Sequence, residues 1–267
     1  MTGDYREYRR TAERAAREAG ALLLAASGRV EAREKAPGDL VTDADSASQR
    51  AIAATLARAY PGHTLLAEED GVLPDPDCAW RWIVDPLDGT INFAHGFPLW
   101  CVSIALEHRG RVVAGVVHVP PTGATYSASA GGGATLDGRP IRVGKVDSLR
   151  SALIAAAMPV DFAGDAGRQL AYYGRFSTGT HSVRRTGSSA WNLAIVAAGG
   201  LDVAFATSVH PWDIAAGVVL VREAGGTVTD LAGGPHDLYG GGLLATNGRI
   251  HAEALRALAG AWPRPVA

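Results

Sequence analysis

Cysteine is scarce in this chain, with only Cys78 and Cys101 among 267 residues. They stand too far apart for a CxxC site, and two cysteines do not make a disulfide framework. A reducing cytoplasm is the compartment that fits. Long apolar runs are missing as well. The run at residues 21–26 is far shorter than the roughly 20 residues of a membrane helix, and the opening MTGDYREYRR is charged, unlike a secretory leader. No membrane partner is expected. A dominant sign of charge is also absent: the formal net charge is −2. No broad basic field exists for nucleic acid, although local positive charge beside an anionic substrate remains compatible with this balance. The 33 glycines follow no fixed period, and the clusters at 131–133 and 240–242 read as loops.

Apolar residues make up 47% of the chain, enough for a sizeable core. Tyr5, Tyr8, Ala12, Ala15, Ala19, Leu22, Leu23 and Ala26 recur at helical spacing, which predicts an amphipathic helix over 4–27. A second helix is expected over 46–60, with Ile52, Leu56 and Ala59 on one face and Pro61-Gly62 as its stop. Strands are expected at 64–67 and 81–84, a hairpin at 99–108 and 111–119 turning on Arg109-Gly110, and weaker strands at 125–129 and 140–143. Beyond residue 150, strands at 153–157, 203–206, 227–230 and 243–246 alternate with helices at 165–177, 188–199, 213–223 and 250–258. No Pro/Ser-rich linker interrupts the chain. A single compact unit over 1–267 is therefore expected, with sub-lobes of about 1–148 and 149–267 flanking a cleft.

The chemistry concentrates in WIVDPLDGTINFAHGFP, residues 82–98. Asp85, Asp88 and Thr90 fall within six residues, with Pro86 and Gly89 shaping an expected tight turn. Two acids three apart can converge on one hard cation such as Mg²⁺. Gly89 and Thr90 would then offer backbone N–H groups and a hydroxyl to a phosphate. Further candidates lie in AEED (Glu68, Glu69), KAPGDLVTDAD (Lys35, Asp43, Asp45), TGSSAWN (Gly187, Ser188, Ser189) and HPWDIAAG (Asp213).

DPLDGTINF and WDIAAGVVLVREAGG, with AEED and DLVTDAD upstream in matching order, resemble the inositol monophosphatase family of magnesium-dependent, lithium-sensitive phosphatases. The resemblance extends from the first helix to the last. It implies an α+β or α/β layered αβαβα sandwich, of the inositol monophosphatase and fructose-1,6-bisphosphatase type, usually a homodimer. It also implies two to three Mg²⁺ ions. Glu68, Asp85 and the Leu87 carbonyl would hold one, and Asp85, Asp88 and Asp213 a second. A third, looser ion would involve Glu68. Asp45 and Thr90 would orient and activate the attacking water, with Glu68 alongside in the catalytic set. Gly89 and Thr90 would contact the phosphate, while Gly187, Ser188, Ser189 and Asp213 would face the substrate.

Physical chemistry supports the same arrangement. A phosphate monoester repels hydroxide, and two Mg²⁺ ions roughly 3.5–4 Å apart neutralise that charge and acidify bound water. Each ion keeps waters and accepts few protein ligands, so carboxylates must come from several segments. Packed together without metal they repel, and their pKa values rise. Quieter readings exist residue by residue. Asp213 is a natural helix cap, Glu68 and Glu69 could be solvated strand-end acids, and Asp43 is expected in solvent. His210 reads as packing or substrate-facing, and Trp82, Phe93 and Trp212 as core. The joint order of the acids outweighs these separate readings.

In the inositol-hydrolysing branch, a glutamate seven residues before the Asp213 position binds substrate hydroxyls; here that position is Ala206. Its loss removes a charge-assisted hydrogen bond worth about 1.5–3 kcal/mol. The expected substrate is a small polyol or sugar phosphate, with inositol monophosphate the default. Histidinol phosphate, fructose 1,6-bisphosphate and 3′-phosphoadenosine 5′-phosphate are the alternatives. Arg184 and Arg185 would either meet a second anionic group or lie on the surface or at a dimer contact. A catalytically idle binding or regulatory protein on the same fold is the competing class.

Overall fold

The computed structural model describes residues 4–29, 32–36, 39–70, 78–159 and 165–260. Helix α1 (Arg6–Ala26) buries Ala12, Ala15, Ala16, Ala19 and Leu23. Mostly small side chains on that stripe let the helix lie close to the sheet beneath it. A two-stranded hairpin, β1 (Ala32–Ala36) and β2 (Asp39–Thr42), leads into α2 (Asp43–Ala59). Ile52 and Leu56 face inward on α2 as expected, whereas Ala59 is exposed in the last turn.

Seven strands form the larger sheet in sequence order: β3 (Thr64–Ala67), β4 (Trp80–Asp88), β5 (Cys101–His108), β6 (Arg111–Val119), β7 (Ala124–Ser129), β8 (Gly133–Leu136) and β9 (Arg139–Pro140). Only β3 and β4 pair in parallel; every later pair is antiparallel. Arg109 and Gly110 both take positive φ, 49° and 76°, as a tight two-residue hairpin connection requires. The short helix α3 (Thr90–Ala94) sits between β4 and β5.

The second sheet has the order β11 (Ser182–Arg184), β10 (Leu153–Ala157), β12 (Val203–Ala206), β14 (Leu243–Thr246), β13 (Thr227–Thr229). Strands β10, β11 and β12 are parallel; the chain leaves β11 toward the N-terminus of α5 (Ser189–Ala197) and β12 toward that of α6 (Pro211–Glu223). Helices α4 (Ala166–Gly179) and α7 (His251–Leu258) complete the chain.

Five layers result. One core lies between α1, α2 and the large sheet; a second encloses α5 and α6 between the two sheets; the third joins the small sheet to α4 and α7. Helix α6 is buried continuously from Ile214 to Val221, because sheets cover it on both sides. Its approach to β6 depends on Gly115, where an added Cβ would stand 2.8 Å from the Ala216 backbone. This is the expected αβαβα sandwich. No helix among the described residues is long and apolar enough to cross a membrane.

Several local expectations need correction. Asp85 and Asp88 lie on the continuous strand β4 rather than on a tight turn after it. The charged segment before α2 forms the β1–β2 hairpin, and β8 begins in what read as a glycine loop. Helix α6 begins at Pro211, so Asp213 stands at its third position rather than at its cap. Trp82 and Phe93 are core residues, but Trp212 is only half-buried and stacks on exposed His210 at 4.7 Å.

Candidate active site

Strand β4 reaches the site through a bulge. Asp85 pairs with Ser103 and Asp88 with Cys101, so β4 contains one residue more than β5 over that span. Such an insertion bends the strand and re-aims its side chains. Gly89 follows with φ 100° and ψ 35°, a left-handed conformation suited to glycine, and α3 starts immediately after it. A Cβ at Gly89 would also approach the Leu99 carbonyl oxygen to 2.9 Å.

The four carboxylates around this end come from three elements, with Asp85 and Asp88 sharing β4. Asp85 and Asp88 are 2% and 7% exposed. Glu68 opens the short 3-10 turn after β3, and Asp213 lies in the first turn of α6. Burial, then the charges of Glu68, Asp88 and Asp213, push the Asp85 carboxyl well above the ordinary carboxylate range; the Leu87 amide opposes this at 2.9 Å. Burial likewise raises Asp88, against its own donors. Ser188 Oγ donates to Asp88 Oδ2 at 2.7 Å, as does the Ala190 amide at 2.7 Å, and the Ser189 amide reaches Oδ1 at 3.3 Å. Asp88 thus occupies the N-terminus of α5, where helix dipole and orphan amides favour an anion. Asp213 Oδ2 accepts from the His210 amide at 2.7 Å, fixing the start of α6.

No group of three or more His, Cys, Asp or Glu side chains among the described residues stands ready to hold a metal ion. The charges nevertheless converge on Asp85. A strand end and a helix start fix that convergence. Adjusting a side-chain torsion by about 30° costs only about 0.5–1.5 kcal/mol. The donor set is all oxygen, four carboxylates with the Leu87 carbonyl nearby, as a hard divalent cation prefers.

Asp45 is fully buried and belongs to a second, linked group. Its Oδ2 accepts from the Thr42 amide at 2.9 Å and the Thr42 hydroxyl at 2.6 Å, forming a capping box for α2. Its Oδ1 lies 3.1 Å from Thr90 Oγ1, which is also 3.0 Å from the Leu87 carbonyl. Burial raises the Asp45 carboxyl, against the hydrogen bonds of Thr42 and Thr90. Ser48 donates to the Pro86 carbonyl at 2.7 Å and ties α2 to the β4 bulge.

The remaining candidates occupy different surroundings. Ser188 is buried, its hydroxyl given to Asp88, while Ser189 is half-buried and Gly187 exposed. Asn92 bridges the two motifs by donating to the Leu99 carbonyl at 2.6 Å and the Thr186 carbonyl at 2.8 Å. Asp43 is exposed and pairs with Arg33. Arg184 and Arg185 are exposed at the end of β11, and Ala206 is 3% exposed. Lys35 lies on β1, its side chain outside the described residues. The sequence gives no sign that Thr42, Ser48, Asn92 and Cys101 belong to the site, apart from the T-x-x-D spacing of Thr42 and Asp45.

Comparison with known proteins places the chain. Residues 4–262 match the inositol monophosphatase family. The chain is 42% identical to an inositol-1-monophosphatase of Mesorhizobium japonicum, over 91% of this chain and 93% of that protein. It is 39% identical to the Nus factor SuhB of Escherichia coli K12, over 90% and 91%. The structure of an inositol monophosphatase from Anabaena (Nostoc) sp. PCC 7120 superposes with a TM-score of 0.89, at 36% identity and 98% coverage of both chains. On sequence and fold alike, this chain belongs to the inositol monophosphatase family and is a phosphoric monoester hydrolase.

Proposed function

We propose that the chain hydrolyses a small polyol or sugar phosphate in a Mg²⁺-dependent, lithium-sensitive reaction. Inositol monophosphate is the default substrate. The observation that carries this reading is the Asp85 carboxyl, raised by burial and then by the charges of Glu68, its strand neighbour Asp88, and Asp213 of α6. Such a cluster of anions fits cations better than any neutral ligand. Glu68, Asp85 and the Leu87 carbonyl would hold one ion, and Asp85, Asp88 and Asp213 another, with a third near Glu68. When bound, the ions neutralise the phosphate and acidify a coordinated water.

The chain's own groups then manage protons and orientation. Thr90 donates its hydroxyl proton toward Asp45 Oδ1, leaving its oxygen to accept a proton from the attacking water. Buried Asp45 is the terminal acceptor, held by both Thr42 donors. Glu68 would assist the water from the ion side. Gly89 and Thr90 at the start of α3 would contact the phosphate, and the Gly187–Ser189 loop together with Asp213 would border the leaving alcohol. Asp88 joins that loop to the ion site through Ser188.

Ala206 contributes no acceptor for a polyol hydroxyl, which keeps histidinol phosphate, fructose 1,6-bisphosphate and 3′-phosphoadenosine 5′-phosphate as alternatives. A homodimer in the cytoplasm completes the reading. The Nus factor name borne by relatives at 39% identity favours a second one, in which the fold serves as a binding or regulatory partner. Phosphate release from a panel of these esters, with Mg²⁺, with EDTA and with Li⁺, separates the two. Metal-dependent turnover inhibited by Li⁺ supports the enzyme reading; no turnover on the whole panel rejects this substrate assignment and favours the partner role.

A further inference from the structure

The inner stripe of α2 changes from polar to apolar along the helix. Asp45, Ser48 and Gln49 share one face at i, i+3 and i+4 spacing, and Ile52 and Leu56 continue that face toward the C-terminus. All five are buried. Polar side chains on a core-facing stripe need partners, because a buried polar group left unpaired is costly. Each of the three reaches a different segment of the candidate site. Asp45 meets Thr90 at the start of α3, Ser48 meets the β4 bulge, and Gln49 meets the turn after β3.

Ser48 acts on a single peptide plane. The β4–β5 ladder pairs Asp85 with Ser103 and Asp88 with Cys101, passing over Pro86 and Leu87. The Pro86 carbonyl accepts from Ser48 Oγ at 2.7 Å. At the other end of the same planar peptide, the Leu87 amide donates to Asp85 Oδ1 at 2.9 Å. Its orientation therefore aims the Asp85 carboxylate and sets the course of the Leu87 carbonyl, which lies 3.0 Å from Thr90 Oγ1. Gln49 acts one segment away. Strand β3 ends at Ala67, opposite Val84, and Glu68 opens the turn that follows. The Glu69 amide in that turn donates to Gln49 Oε1 at 3.1 Å. The turn carrying Glu68 is thereby registered against the helix that pins the bulge.

Provided that the acids hold ions as proposed, we infer that Ser48 and Gln49 are positioning residues for one ion, that assigned to Glu68, Asp85 and the Leu87 carbonyl. Ser48 places Asp85 and the Leu87 carbonyl through the Pro86–Leu87 peptide, and Gln49 places Glu68 through the Glu69 amide. Because adjacent turns of one helix carry both side chains, α2 fixes the spacing between the two segments. The remaining acids take their support elsewhere, Asp88 from α5 and Asp213 from the start of α6. The same helix contains a control. Thr55 is also buried, and it donates to Glu18 of α1 at 2.8 Å. It stands about 15 Å along the axis from Asp45 and ties helix to helix rather than helix to site.

The test measures Mg²⁺ binding to the full-length chain by titration calorimetry without substrate, beside the melting temperature of each metal-free variant. Ser48→Ala and Gln49→Met each remove one hydrogen bond and keep a good helix former. Each is expected to weaken Mg²⁺ binding by about 10–100-fold, as loss of a group that orients a ligand does. Thr55→Val is expected to lower the melting temperature and leave Mg²⁺ affinity unchanged. A variant that binds Mg²⁺ as wild type does removes its residue from the role. Two such variants, or a Thr55→Val that loses as much affinity as they do, overturn the proposal and leave these contacts as packing of α2 alone. If one of the two fails to fold, the other decides. A wild-type chain that binds no Mg²⁺ rejects the ion site itself, and this proposal with it.

Discussion

At its beginning, β4 presents Trp80 and Trp82 to other rings; at its end, it presents Asp85 and Asp88 to other carboxylates. Both ends bury polar atoms, and they do so with opposite electrostatics. The aromatic end holds neutral groups, and burial lowers the pKa of His63. The acidic end holds anions, and burial with mutual repulsion raises Asp85. Burial disfavours the charged form in both cases, so the same desolvation moves a base down and an acid up. Hydrogen bonding separates them further: Asp88 collects donors from Ser188, Ser189 and Ala190, whereas Trp82 Nε1 has no partner among the described residues.

The contrast can be broken most severely at Asp85. Asp85→Asn keeps an acceptor for the Leu87 amide but removes the charge at the centre of the cluster. Turnover should fall by more than the roughly 10–100-fold typical of outer-sphere partners, because Asp85 would be lost as a direct ligand in the proposed ion site. The metal-free variant should melt higher than wild type at neutral pH, by about 2–4 °C for each kcal/mol of repulsion relieved. The pH dependence should change with it. Folded Asp85 retains its proton above the ordinary value of 3.8, so wild-type stability falls as pH rises through the raised value and remains low above it. That decline should weaken in Asp85→Asn; an unchanged pH–stability curve would show that the acids do not interact.

Thr90 gives the next largest effect. Thr90→Val keeps the shape and removes the hydroxyl between Asp45 and the Leu87 carbonyl. If Thr90 relays the proton as proposed, its loss should lower kcat by about 10²–10⁴-fold. The Mg²⁺ concentration for half-maximal rate should move little, and Thr90→Ser should recover most of the loss. A matching kcat in Thr90→Val would remove it from the proton path.

Ser188→Ala tests whether Asp88 depends on its support from α5. One strong donor to Asp88 is lost, together with the cap that Ser188 provides for that helix. Mg²⁺ affinity should fall by about 10–100-fold. Stability should fall by about 1 kcal/mol. A variant with altered stability but unchanged Mg²⁺ dependence would make this contact purely structural. The smallest effect is expected at His63→Phe, which keeps a ring in the column without a titrating group. Wild-type stability from neutral His63 is complete above the ordinary value of 6.5 and is lost as pH falls through its lowered value. The acid-side slope of a melting-temperature profile should therefore flatten, while the Asp85 slope persists.

Particular residues show where reading the chain succeeded. Ala12, Ala15, Ala19 and Leu23 announce α1 by spacing, and Arg109-Gly110 announces the β5–β6 hairpin by its turn residues. The β1–β2 hairpin is not legible in the sequence because AREKA and DLVT carry little alternation; the two strands stabilise one another by pairing. Pro211 was a readable signal for the true start of α6, since proline suits the first helical turn. The Asp88–Ser188 contact joins residues 100 positions apart, and no local pattern encodes it.

Sequence alone determined the acids, their order and the periodicities that build helices and strands, because those depend on neighbours along the chain. Only the tertiary structure decided that Glu68, Asp88 and Asp213 act on Asp85, that Asp88 anchors α5, and that the Trp82 indole N–H is buried without a partner among the described residues. Desolvation and Coulomb repulsion act through space, so they have no meaning until folding makes distant residues neighbours.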